Sequence, residues 1–457
     1  MPPAVEPVRV AYDEAPLRWF HLRVALGASG GEFSEGFGLG IIGICLHRAA
    51  PQLDLDPVWM GTLGAASLAS LFAGALLTGA AADRFGRRPI FGFNMAILGI
   101  LSLLQGLVHT RGELLALRLA IGFVLGSDYA VNKAMLIEYT PRRVRGRILG
   151  LLSVMWATGY ASAYFAGFAL DSLGPESWRW MLVSSAIPCF LVFPLRVTVP
   201  ETPMWLTNNG QPEAAARIVS AKFGPTVAPP AAPLAATPAG SRAAMSNGPI
   251  ASEGRWMDLF SPAWRRCTLV ACAFFTCLVI PYFAVGTFVA QVMSAMNIES
   301  GYAGGLIYNV SLLGGAILGL IIVDRISRRH FLIGSFWIAA ASTLVLTVWN
   351  PVPAVAMTVL FAVFAGVLSA ASNLVYVYLP ELFPTALRAS GIGLASAVSR
   401  IGSAFSTFLL PVIVASYGIH AALAACVAVL AAGAVICQLW APETRNIRLE
   451  NLDQSAA

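Results

Sequence analysis

Twelve apolar stretches run along this 457-residue chain, at 22–46, 58–81, 89–109, 113–137, 148–170 and 178–198, then at 267–293, 302–323, 331–349, 354–379, 391–416 and 419–440. Each is close to the ~20 residues that a helix needs to cross a bilayer. Hydrocarbon offers no partner to a backbone N–H or C=O, so a chain that crosses it repeatedly in segments of this length must do so as internally bonded helices. Composition agrees, with 57% hydrophobic and 11% charged residues and a mean hydropathy of +0.73, far from the profile of a soluble domain. The expected fold is an all-α membrane protein with twelve transmembrane helices.

The spans fall into two sets of six, and the loops between them repeat. Asp83-Arg84-x-x-Arg87-Arg88 returns as Asp324-Arg325-x-x-Arg328-Arg329, 241 residues later. Glu138 and Arg145 return 243 residues later as Glu381 and Arg388, and Pro200-Glu201-Thr202 returns 242 residues later as Pro442-Glu443-Thr444. A parallel duplication inside an apolar chain points to two pseudo-symmetric bundles enclosing one aqueous site, the layout of a secondary transporter. The expected organisation is an N-terminal segment 1–21, a six-helix bundle 22–198, a linker 199–265, a second bundle 266–440 and a tail 441–457. Pro225 to Pro249 is rich in Pro and Ala and is expected to be flexible. Its flanks, Pro212 to Phe223 and Arg255 to Phe260, suit short amphipathic helices.

Arginines collect in alternate loops: Arg18 and Arg23 before span 1, Arg84, Arg87 and Arg88 after span 2, Arg142, Arg143, Arg145 and Arg147 after span 4, and the Arg325, Arg388 and Arg445 loops in the second half. By the positive-inside rule these loops and both termini are cytoplasmic, which makes the chain a multi-pass protein of the plasma (inner) membrane. The net charge of +6 follows from this asymmetry and is no nucleic-acid footprint. The seven cysteines lie in or beside apolar spans, without CxxC or metal-ligand spacing, so neither a metal nor a cofactor is expected. No His-rich, Ser-His or paired-acid constellation occupies a loop, so an enzyme is not expected either.

Gly79-x3-Asp83-Arg84-x-Gly86-Arg87-Arg88 resembles the loop signature of the major facilitator superfamily. Further fragments resemble its sugar-porter and metabolite:proton symporter branches: Arg118-x3-Gly122-x3-Gly126, Glu138 through Arg145-Gly146-Arg147, Pro200 to Leu206, Pro380-Glu381-Leu382-Phe383-Pro384-Thr385 with Arg388, and Pro442-Glu443-Thr444. The resemblance implies alternating access. It also implies a cytoplasmic latch, closed while the protein is open outward, in which acids of one half meet arginines of the other. Asp83, Arg84, Arg87, Arg88, Glu138, Arg145, Glu201, Asp324, Arg325, Glu381, Arg388 and Glu443 resemble its members. The second copy carries Leu320 for Gly79 and Ser327 for Gly86, which makes that half of the latch looser.

Ionisable residues at bilayer depth are costly and normally mark a cavity or a partner. Glu35 lies mid-span 1, Arg118 and Asp128 in span 4 and Arg400 mid-span 11, with Glu32 one turn before Glu35 and Lys133 lower in span 4. The segment from Phe33 to Gly43 resembles a family pattern with acids at the positions of Glu35 and Gly38, the second of which is missing here. Proton coupling is therefore expected of Glu35 and Asp128, with Arg118 either a coupling partner or a fixed helix-to-helix salt bridge. Arg118, Gly122 and Gly126 share one helix face, where a neighbour can pack close over the glycines. Cavity candidates are Arg400, Trp156, Tyr160, Tyr282, Gln291, Asn309, Asn373 and Tyr376. Pro281 is expected to break span 7 near the midplane. Such a site suits a small polar organic solute: a sugar, sugar acid or other organic acid, imported with protons by a monomer. Proton-coupled efflux and a non-transporting nutrient sensor are the competing readings.

Overall fold

A computed structural model describes residues 10–230, 256–296, 301–323, 325–349, 353–383 and 385–444. Twelve long helices follow one another: α1 Trp19–Leu53, α2 Pro57–Phe85, α3 Arg88–Leu104, α4 Arg111–Tyr139, α5 Arg142–Leu170 and α6 Ser177–Val197, then α7 Arg265–Thr287, α8 Gly301–Ile322, α9 Arg328–Val348, α10 Ala354–Ser372, α11 Thr385–Tyr417 and α12 Ile419–Trp440. Each coincides with one of the twelve apolar stretches. All but α1 contain a window long and apolar enough to cross a membrane. In α1 the mean hydropathy is lowered by Glu32, Glu35 and a run of glycines and serines. Local chemistry sets the ends: Asp56 accepts from Trp59 N (2.7 Å) ahead of Pro57, Thr110 and Glu113 form a capping box before α4, and Gly86 closes α2 at φ 96°, where a side chain would be strained.

The surface is inverted relative to a soluble protein. Leu76, Leu77, Leu191 and Val355 are more than half exposed, whereas Glu32, Glu35, Arg118, Asp128, Arg196 and Arg400 are buried. Lipid explains both, since it solvates leucine as well as a core does and solvates charge very poorly.

Packing repeats the duplication seen in the loops. Within the first half α1 packs on α5, α2 on α4 and α3 on α6; within the second, α7 packs on α11, α8 on α10 and α9 on α12. Glycines permit the closest of these contacts. A Cβ on Gly126 would stand 2.0 Å from the Leu71 carbonyl oxygen, so the neighbour expected over Gly122 and Gly126 is α2. The halves join through α2 on α11 and, by the same symmetry, α8 on α5. At the end remote from the arginine-rich loops this contact reaches the backbone: Cβ atoms on Gly43 and Gly61 would fall 1.5 Å and 2.2 Å from the carbonyl oxygens of Thr287 and Phe408.

Pro281 does not break α7. The helix continues to Thr287 and is interrupted at Phe288, before a short helix Val289–Ala295. The lost hydrogen bond is tolerated inside a helix held by α11 and α12. After α6, short helices Pro203–Asn208 and Pro212–Lys222 form where the first amphipathic flank was expected, and Trp256–Phe260 makes a 3-10 turn at the second. The rings of Tyr12 and Phe223 meet at a tilt with centroids 5.0 Å apart and Val10 bridges Val227, tying the N-terminal segment to this connection. Most of the Pro/Ala-rich stretch and the tail beyond Thr444 lie outside the described residues.

Candidate functional site

A cavity lies between the halves. Its walls come from α1 (Glu32, Glu35), α4 (Tyr129), α5 (Ser153, Trp156, Ala157), α7 (Phe275 to Phe283), α10 and its continuation (Ser369, Ser372, Val375, Tyr376) and α11 (Arg400). Trp156 stacks on Tyr160 at 5.3 Å and stands 6.0 Å from Tyr282 and 5.9 Å from Phe283, giving one wall a continuous aromatic face.

Both acids of α1 face this space, because residues three apart share a helix face. Glu35 is 2% exposed and Oε1 accepts from Trp156 Nε1 at 3.2 Å. Glu32 is 1% exposed and both of its oxygens are buried without a hydrogen-bond partner among the described residues. Two cations oppose them. The Arg400 guanidinium lies 5.1 Å from the centre of the Tyr129 ring, and Lys133 Nζ lies 3.2 Å from that ring and 5.0 Å from the ring of Tyr376. No ion pair within 4 Å joins either cation to either acid among the described residues. The cavity is thus lined by two carboxylates and the Arg400 cation, with Lys133 against the rings of Tyr129 and Tyr376.

Of the other expected cavity residues, Tyr282, Trp156, Tyr376 and Arg400 line the space, and Tyr160 stands behind Trp156. Three do not reach it. Gln291 borders a separate recess with Pro57, Met60 and Pro411 at the end remote from the arginine-rich loops. Asn309 Nδ2 donates to Gly305 O within α8 (2.8 Å), and Asn373 Nδ2 donates to Ala316 O (3.1 Å), holding α10 against α8. Amides at this depth satisfy backbone carbonyls instead of facing a ligand.

Asp128 also departs from expectation. It turns away from Glu35 toward α6, where Arg196 Nη1 and Nη2 grip both carboxylate oxygens, the second at 3.1 Å. Arg196 further donates to Asn132 Oδ1 (3.2 Å) and Gly27 O (2.8 Å) and lies over the Phe91 ring. Sequence reasoning missed Arg196. The available signal was its place within the apolar stretch 178–198, inside the span end and not in the loop. Arg118 meets no acid: Nη1 donates to Gly38 O at 3.2 Å, and it borders a small recess inside the first half. The salt bridge weighed for it is absent among the described residues.

The repeated loops make two copies of one network. Arg87 pairs with Glu138, and its counterpart Arg328 lies 3.7 Å from Glu381. Glu201 accepts from Arg88 N (2.9 Å), while Glu443 accepts from Arg328 N (3.2 Å), Arg329 N (3.3 Å) and the Ser327 hydroxyl. Tyr139 OH donates to Pro200 O (3.0 Å) and Tyr378 OH to Pro442 O (2.8 Å). Arg145 donates to Thr140 O and Arg388 to Pro380 O. Arg84 lies over the Phe85 ring, and Arg325 is exposed. The latch was expected to pair acids of one half with arginines of the other, whereas the pairs seen among the described residues each lie within a single half. The side chain of Asp83 and all of Asp324 lie outside what is described.

Two pseudo-symmetric six-helix bundles around a central, largely apolar cavity that holds buried charges define a multi-pass membrane transporter of the major facilitator fold. Residues 29–456 match the sugar (and other) transporter family, and the chain belongs to it. It is 38% identical to the inner membrane metabolite transport protein YgcS of Escherichia coli K12, covering 97% of this chain and 96% of that one. The niacin transporter NiaP of Acinetobacter baylyi is 24% identical over 96% of this chain and 98% of its own. Among solved structures, a partially occluded inward-open conformation of the xylose transporter XylE from E. coli superposes with a TM-score of 0.76 at 18% identity, covering 94% of this chain and 100% of that one. These relatives are transporters, not enzymes.

Proposed function

We propose that this metabolite transporter imports a small organic acid together with protons, by alternating access, with Glu35 and Glu32 as the proton-carrying pair. The observation that carries the reading is the pair of buried carboxylates one turn apart on α1, facing the same cavity as Arg400 and beside Lys133. Ionisable acids buried at bilayer depth and facing a cavity are characteristic of proton relays. An incoming anion that occupies the cations leaves the acids without counter-charge and favours their protonation, which links the two cargoes. The relatives' names agree with a metabolite cargo, and one of them carries niacin. In this reading both termini and the arginine-rich loops face the cytoplasm, which the charge asymmetry supports, the 22–198 and 266–440 bundles are the two rocking bodies, and the working unit is a monomer.

The test is uptake in proteoliposomes with an imposed pH gradient, screening sugars, sugar acids and aromatic acids after a thermal-shift survey. Accumulation of an acid that collapses when the gradient is dissipated supports the reading. Gradient-independent equilibration, or export down an inward proton gradient, defeats it.

A further inference from the structure

Arg118 is 1% exposed, in the middle of the first bundle, and forms no ion pair among the described residues. Its Nη1 donates to the Gly38 carbonyl, while Nε and Nη2 are buried without hydrogen-bond partners among the described residues. A guanidinium does not give up its proton in a protein, and a buried cation without a counter-charge is strongly destabilising. Water can fill a donor's need for an acceptor, but it cannot cancel the charge.

The unmet groups converge on one place. Arg118 borders a recess between α1, α3, α4 and α6 with room for about one water-sized particle, and Gln105 and Ser185 on the same wall each carry a buried oxygen without a partner among the described residues. The serine can donate into the recess through its hydroxyl, and the glutamine amide, turned over to exchange Oε1 for Nε2, can donate as well. Gly38 borders it as well, and a Cβ added there would meet nothing within 4 Å. The recess shares no lining residue with the central cavity and is too small for a sugar or an aromatic acid.

We infer that this recess is a binding site for a small inorganic anion of the chloride class, held by the Arg118 guanidinium with Gln105 and Ser185, and that the bound anion supplies the counter-charge which joins α4 to α1. The site is distinct from the transport cavity, so the anion acts as a structural ligand and not as cargo.

The experiment uses the purified full-length protein in detergent, with chloride titrated against gluconate at constant ionic strength and unfolding followed by temperature. Gluconate is too large for the recess. Saturable stabilisation by chloride, of about 2 °C or more, is expected. Arg118→Met should remove the chloride response. Gly38→Asp, which places a carboxylate in the open space beside the guanidinium, should also remove it while keeping the protein at least as stable as the chloride-bound parent. A bromide-soaked crystal should show its anomalous peak within hydrogen-bond distance of Arg118. A parent protein indifferent to chloride overturns the proposal, and so does a chloride response that survives undiminished in Gly38→Asp, or a bromide peak elsewhere only. If Arg118→Met does not fold, the parent titration and Gly38→Asp still decide.

Discussion

Trp156 Nε1 donates to Glu35 Oε1 across 3.2 Å, joining α5 to α1 at the wall of the central cavity. The bond gives the carboxylate one fixed donor, so the charge on Glu35 is coupled to the position of an aromatic ring that also meets Tyr282 and Phe283 of the other half. Under the proposed coupling, a change of protonation at Glu35 would be felt at the surface between the halves.

Glu35→Gln is expected to abolish accumulation driven by a proton gradient while leaving counterflow exchange measurable. The amide keeps an oxygen for Trp156 but cannot cycle a proton. Uptake in energised vesicles and counterflow in de-energised ones separate the two effects, and a variant that still concentrates substrate rules out Glu35 as carrier. Trp156→Phe removes the donor and keeps the ring, so its exchange rate should fall less than its coupling.

Asp128→Asn is a stability variant before it is a coupling variant. It leaves the fully buried Arg196 without its counter-charge, a change that typically costs about 3–5 kcal/mol. A much reduced yield of folded protein and a lowered unfolding temperature are expected. Pairing it with Arg196→Met should recover most of the loss, because both charges then leave together. Unaltered stability of the single variant would remove the structural role assigned to this pair.

Arg400→Ala should weaken binding of an anionic substrate at least about tenfold, ~1.4 kcal/mol, and spare a neutral ligand. Arg400 faces the cavity over Tyr129 and makes no ion pair among the described residues that its loss would break, so folding should be little affected. Equal losses for charged and neutral ligands would indicate a packing role only.

Glu138→Gln and Glu381→Gln should each slow transport several-fold with normal membrane insertion, since the two acids occupy equivalent places in the duplicated loops. The side chains of both pairs are only 10–25% exposed, so the unfolding temperature is measured alongside to separate a loss of stability from a slower interconversion. Turnover in correctly inserted protein is the measurement, and unchanged rates in the double variant would reduce these loops to topology signals.

The twelve helices, their grouping into two sixes and the recurrence of the loop residues are legible in the residues alone. Length and apolarity force helices in lipid, and a repeat offset of 241–243 residues sets equivalent residues in both halves, but not their partners: Arg87 meets Glu138 and Arg328 meets Glu381 within one half, where acids and arginines were expected to meet across the halves. Depth is legible too: Glu35 and Arg400 were placed mid-span and both line the cavity. What hydropathy does not encode is the direction each residue takes around its helix. Asp128 and Tyr129 are neighbours in the chain at the same depth, yet one step of ~100° turns Tyr129 to the cavity and Asp128 to Arg196. The same rotation, set by which glycine face packs on which neighbour, carries Asn373 onto α8 and leaves Arg118 beside a glycine carbonyl. Partners that come from distant spans are chosen by packing across the bundle, where each contact depends on all the others, and so they emerge only when the helices are assembled.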